Sequence, residues 1–316
     1  MPDIRTFIRP DRDQLTELVN VHIAAVVPGW ALPVSALLAQ FEREPAQYVV
    51  DPWVIDRTTL VAIERDRVVA GAHLKRYAGD ARVSPDYYGA GEIAWLVGWP
   101  RKHGAALALA HACTAKLDEW GVRRQWADGA LPTPATFGIS AAWPHVRKVI
   151  GAAGFSDDEG RTEMLLAGPL ESVGEPDAPP IEGLTVHREV DNLAVRFSAV
   201  LDDQVIGYVN VHDDLTRGGT LSCLKSWAQL HEHFVEPAYR RRGVGTWLVR
   251  HAVSWLRLGG ATRILASWAE ELDAGSLPFL LQFGWQEIGT TRRGWRRPTN
   301  ADSIPAPTLH SWKCHE

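Results

Sequence analysis

The chain has 316 residues, 46% of them hydrophobic and 22% charged, a globular composition and enough length for two domains of about 150 residues. A formal net charge of −5 excludes a general nucleic-acid binder, because displacing counterions from phosphates needs a basic surface. The opening MPDIRTFIRPDRDQL has no apolar signal core, and no run of about 18 apolar residues follows, so neither export nor a membrane span is expected and the compartment is read as cytoplasmic.

IRTFIR reads as a strand, and DRDQLTELVNVHIAAVV and PVSALLAQFERE as two helices. TTLVAIERDRVVAGAHLKRY is a hairpin turning near Arg65-Asp66-Arg67. EIAWLVG is an apolar strand. After Gly104, the residues Ala106, Ala110, Cys113, Leu117 and Trp120 recur on one helix face. Cys113, Cys223 and Cys314 are isolated, with no CxxC pair, so no metal site or disulfide framework is expected and Cys113 is read as a small buried hydrophobe. RKVIGAAGF closes this half on Gly154-Phe155.

GPLESVGEPDAPPIEG, Gly168 to Gly183, is rich in Pro, Gly and acid and has no period, the mark of a linker. GLTVHREV then leads almost directly into the hairpin AVRFSAVLDDQVIGYVNVH, which turns at Asp-Asp. AQLHEHFV is a strand, and a helix with Leu248, Ala252, Trp255 and Leu256 on one face ends at Gly259-Gly260. RILASWA and FLLQFGW, with Gly284-Trp285, complete the half. One plan stands twice in the chain. We expect an α+β fold of tandem domains, each a mixed, mostly antiparallel sheet flanked by helices. The expected domains are residues 1–172 and 183–316 around a linker at 173–182, the second domain lacking the first two helices.

The junction FVEPAYRRRGVGTWLVRHAV carries Arg240-x-x-Gly243-x-Gly245 between a strand and a helix. A helix N-terminus offers unpartnered N–H groups and partial positive charge, and glycine lets an anion approach the backbone. No Gly-Lys-Ser/Thr follows, so this is not a nucleotide P-loop, and the third glycine of the dinucleotide fingerprint is missing. Arg101-x-x-Gly104-x-Ala106 repeats the pattern in the first half. The competing reading is a solvated, arginine-rich helix start.

VEPAYRRRGVGTWLVRHAV resembles motif A of the GNAT superfamily of acyl-CoA-dependent N-acetyltransferases through Val235, Pro237, Tyr239, Arg240, Gly243 and Gly245. FLLQFGW is similar to the family's later helix ending in Gly-Phe, and IRPDRDQLTELV to its first strand and helix. The resemblance implies tandem GNAT-like domains with acetyl-CoA as cofactor. Amides of Arg241, Arg242, Gly243, Val244, Gly245 and Thr246 would cradle its pyrophosphate, with Arg240 alongside. The pantetheine arm would lie along the strand ending at Phe234 and Val235. Arg101, Gly104 and Ala106 would be the first half's counterpart.

The resemblance also implies a base on the strand before Val235, where His231 stands, with Glu232 and His233 beside it. A histidine titrating near neutrality suits that task. On a regular strand His231 and His233 share a face and Glu232 turns away, which a bulge would alter. Glu92 holds the comparable place in the first half, where a buried structural carboxylate is the other reading. The family's general-acid tyrosine is replaced by Leu280 in one half and Ile150 in the other.

The expected function is transfer of an acetyl group from acetyl-CoA to a small-molecule or peptide amine, by direct attack in a ternary complex. The second half is the favoured site, in a monomer or homodimer that binds no nucleic acid. Catalysis through Glu92, and a non-catalytic acyl-CoA-binding protein, remain alternatives.

Overall fold

The structure is a computed structural model that describes residues 2–42, 53–80, 83–128, 131, 136–157, 160–191, 194–212, 225–269 and 276–299. Cys223 and Cys314 lie outside them. The chain forms two compact units: 1–132 with 137–162 and 291–316, and 133–136 with 163–290. The linker expected at 173–182 falls inside the second.

In the first unit β1 (Asp3–Thr6) leads to helices α1 (Arg12–Val26) and α2 (Val34–Phe41). The hairpin β2 (Val54–Glu64) and β3 (Arg67–Tyr77) turns on Arg65 and Asp66 at φ 50° and 60°. Positive φ at both central residues matches the right-handed twist of the strands. β4 (Gly91–Gly98), α3 (His103–Glu119), β5 (Gln125–Trp126), β6 (Ile139–Ser140) and α4 (Pro144–Ala152) follow. β1 to β4 pair antiparallel in sequence, and β4 pairs parallel with β5. Leu109, Ala110, Cys113 and Leu117 of α3 are fully buried, and burial pushes the Cys113 thiol up, as in an inert structural cysteine.

The second unit begins within β7 (Thr162–Pro169) and runs through β8 (Thr185–Asp191), β9 (Ala194–Leu201), β10 (Gln204–His212) and β11 (Trp227–Val235). It continues with α5 (Val244–Leu258), β12 (Arg263–Ala269), α6 (Ser276–Leu281) and most of β13 (Gln286–Arg292). Its sheet order is β13-β7-β12-β11-β10-β9-β8, and in the run from β7 to β8 only the β12–β11 pair is parallel. Asp202 and Asp203, at φ 49° and 61°, turn the β9–β10 hairpin as Arg65 and Asp66 turn the other. The last residues of β13, and β14 (Arg296–Arg297), return to the first unit, where they pair with β6 and β5.

Both units therefore share one succession: antiparallel hairpin, third antiparallel strand, helix, parallel strand. The units differ between first and second strands, where α1 and α2 intervene in one but only residues 192–193 separate β8 from β9. α5 buries Val244, Trp247, Leu248, Ala252 and Leu256 against the sheet, each large side chain contributing about 1.5–3 kcal/mol. The Pro- and acid-rich stretch is pinned along α5. Trp247 Nε1 donates to the Asp177 carbonyl at 3.1 Å, Arg257 donates to Glu175 at 2.8 Å, and Arg250 pairs with Asp177. No helix among the described residues is long and apolar enough to cross a membrane.

Candidate active site

The parallel β11–β12 ladder runs from Trp227↔Arg263 to Leu230↔Ala266 and stops. β11 nevertheless continues to Val235 and β12 to Ala269. The strands part, leaving the β12-facing backbone edge of His231–Val235 outside any ladder among the described residues. An extended ligand arm can pair there as an added strand would. His233 lines this split. Its ring lies 4.9 Å from Trp268 of β12 and 5.2 Å from Phe279 of α6, stacked on the latter.

Beyond the split, residues 236–243 form the loop into α5. Arg241 at φ 61° and Gly243 at φ 88° are both left-handed, and only glycine enters that region without penalty. Gly243 caps the helix with no side-chain hydrogen bond. The N–H groups of Val244, Gly245 and Thr246 have no acceptor among the described residues, the opening that an anion fills. Arg240, Arg241 and Arg242 are exposed around it. Arg240 Nε donates to the Val235 carbonyl at 2.9 Å, fixing the strand end to the loop, and Arg242 lies over the Tyr239 ring. A Cβ on Gly245 would stand 3.3 Å from Phe279, so only the missing side chain keeps this corner open. Donor set, charge and shape fit a pyrophosphate with a narrow apolar arm.

The first unit has no such loop. Gly98 and His103 are separated by 99–102, half the length, and none of these residues is left-handed. Arg101 is exposed, Lys102 pairs with Glu64 at 2.6 Å, and Ala106 is buried against Gly98. Glu92 is 5% exposed and accepts the Tyr77 hydroxyl at 2.5 Å. Burial pushes its carboxyl up, with Lys75 opposing that and Asp128 adding to it.

A bulge decides which side chains face out of the second unit. Asn210 pairs with Glu232, but Val211 pairs with Leu230, so His231 is the extra residue. Both residues of such a bulge lie toward one side. His231 and Glu232 thus share the face of Tyr208, Asn210 and His212, and His231 packs edge-on to His212 at 5.2 Å. His233, paired with the buried Val209, faces α5 instead. The regular-strand expectation had it the other way round.

On the open face Glu232 is held at both oxygens. Tyr208 donates its hydroxyl to Oε1 at 2.9 Å and Asn210 donates Nδ2–H to Oε2 at 3.0 Å. Burial, then Glu232 itself, raises the Tyr208 pKa, so the phenol stays a donor. Asn210 Oδ1 in turn accepts Arg196 Nε–H at 3.0 Å. Tyr208, Asn210 and Arg196 were not singled out in the sequence. The signal for Tyr208 and Asn210 is there, as polar residues at every second position of YVNVH. Phe234 joins this face, its ring 5.7 Å from Tyr208. Leu280 is fully buried in the second unit's core and Ile150 is buried in the first.

Residues 161–285, which span this whole arrangement, match the acetyltransferase (GNAT) family. They form a GNAT domain. The whole chain superposes on a tandem GNAT protein from the clavulanic acid biosynthesis pathway with a TM-score of 0.65, covering 95% of this chain and 100% of that one at 14% identity. A GCN5-related N-acetyltransferase from Sphaerobacter thermophilus gives 0.62 over 94% and 96%, also at 14% identity. The fold is that of tandem GNAT proteins. Over 70 residues, 22% of this chain, it is 34% identical to an uncharacterized N-acetyltransferase of Methanocaldococcus jannaschii, and the match spans 30% of that protein's length.

Proposed function

We propose that the second unit is an acyl-CoA-dependent N-acetyltransferase and that the first has kept the fold without the cofactor loop. The observation that carries this reading is the conjunction of the parted β11 and β12 with the uncapped, arginine-ringed N-terminus of α5. Charge-assisted hydrogen bonds from such amides contribute about 1.5–3 kcal/mol each, enough together to hold a pyrophosphate. When bound, acetyl-CoA supplies a thioester carbonyl open to attack by an amine.

The chain's own residues then have three tasks. The Arg240–Thr246 loop anchors the phosphates, and His233, Trp268 and Phe279 wall the arm. Glu232 takes the proton that the attacking amine must lose, because Tyr208 and Asn210 fix its carboxylate while leaving one lone pair on each oxygen for the acceptor. His231 stands beside it on the same face and steers the acceptor. With leucine at 280, the departing thiolate is protonated by solvent.

A thiol-release assay with acetyl-CoA and a panel of small amines and peptides tests this reading. Amine-dependent release supports it. Tight binding of acetyl-CoA with no release by any amine would instead favour a non-catalytic acyl-CoA-binding protein, the reading to which Leu280 and Ile150 lend weight.

A further inference from the structure

Arg196, Asn210 and Glu232 stand at directly paired positions on three adjacent strands. The row crosses the open face beside the bulge. Its middle member is locked in orientation: Oδ1 of Asn210 can only accept, and faces Arg196, while Nδ2 can only donate, and faces Glu232. The Arg196 guanidinium carbon lies over the Tyr208 ring, 4.5 Å from its centroid. That leaves its two terminal nitrogens with no partner among the described residues, while Glu232 keeps a free lone pair on each oxygen. A cationic fork and a carboxylate thus face the same side, one amide apart.

A plain amine would use only the Glu232 end. The fork matches a carboxylate, which it can grip with two parallel hydrogen bonds. Resting on the transferase reading above, we propose that the acceptor is a zwitterion with its carboxylate on the carbon next to the amine, an α-amino acid or a compound ending in one. The amine sits at Glu232 and the carboxylate at Arg196. Arg196 is then a specificity-determining residue.

The test uses the full chain with acetyl-CoA and matched pairs: L-phenylalanine with phenethylamine, L-lysine with cadaverine, L-histidine with histamine. We expect at least one amino acid to exceed its decarboxylated partner tenfold or more in kcat/KM. Arg196→Met removes the Nε–H that holds Asn210 and so should slow both members of a pair, but it should lower that amino acid's kcat/KM about 10- to 100-fold more than the plain amine's. A merely structural Arg196 would slow both members of a pair alike, and Arg196→Lys would then rescue both. Equal effects on both, a preference for the plain amines, or turnover of neither series by a chain that binds acetyl-CoA would overturn the inference. Calorimetry separates this from the broader failure, since a chain that does not bind acetyl-CoA sinks the transferase reading and the inference with it.

Discussion

Glu232 faces Asn210 across the β10–β11 ladder and accepts its Nδ2–H at 3.0 Å, one residue after the bulge that lifts His231 out of register. In a regular register continued from Leu230, Asn210 would face His231, and Glu232 would turn toward the apolar helix face beside Val209. The bulge makes the carboxylate available. Glu232→Gln should therefore lower kcat about 10²- to 10⁴-fold, the usual contribution of a general base, while leaving acetyl-CoA affinity intact. His231→Ala should lower it less than tenfold. Steady-state kinetics on both variants check this, and the reverse order would move the base to His231.

The loop before α5 depends on a left-handed Gly243, whose added Cβ would also stand 3.1 Å from Pro180. Gly243→Ala should destabilise the second unit by about 1 kcal/mol or more through backbone strain and weaken acetyl-CoA binding by distorting the amide cluster. Thermal unfolding and calorimetric titration of the one variant measure both effects.

Close packing in the second unit gives a sharper stability test. Gly168 of β7 lies so near Trp285 that a Cβ would meet Cδ1 at 2.5 Å and Cα at 2.9 Å. The second contact is backbone and cannot rotate away. Gly168→Ala should cost about 1–3 kcal/mol, read as a lowered denaturation midpoint. Gly104→Ala, where a Cβ meets nothing within 4 Å, should leave the midpoint almost unmoved.

The first unit carries a pH dependence of its own. His22 is 2% exposed, and its Nδ1–H donates to the Leu18 carbonyl at 2.8 Å. Its Nε2 must then accept from His145 Nε2–H at 3.0 Å. Burial lowers the His22 pKa from 6.5 to about 4. Between these values the unfolded chain binds a proton that the folded chain refuses. Stability is thus full above about pH 6.5 and falls as pH drops toward 4, by on the order of 3 kcal/mol. Denaturation midpoints at pH 7 and pH 5 should differ for the wild type and differ less for His22→Gln, which keeps the buried His73, whose pKa burial also lowers.

Much of the fold could be read from the residues. The hairpins turned at the polar breaks Arg65-Asp66 and Asp202-Asp203, where aspartate tolerates positive φ, and the spacing of Leu248, Ala252 and Leu256 located the buried face of α5. The helix-start motif was legible because its glycines and arginines act through local backbone geometry. What could not be read depends on long-range pairing. No local pattern announces that β7 pairs with β12, or that the acidic stretch 173–182 is held by Arg250 and Arg257 of α5. The Arg101–Gly104–Ala106 echo matched in residue type, but residue type does not reveal that its connection from Gly98 to His103 is half as long and has no left-handed residue. The bulge was the hardest feature to see. AQLHEHFV is equally compatible with either face for Glu232, and the choice follows from which residues of β10 stand opposite.

The most direct test of the central claim is calorimetric titration of the full chain with acetyl-CoA, repeated with Gly245→Glu and Gly104→Glu. One site per chain, abolished by Gly245→Glu and retained by Gly104→Glu, is the predicted result. Binding that survives Gly245→Glu, or is lost only in Gly104→Glu, would contradict it and place the cofactor elsewhere.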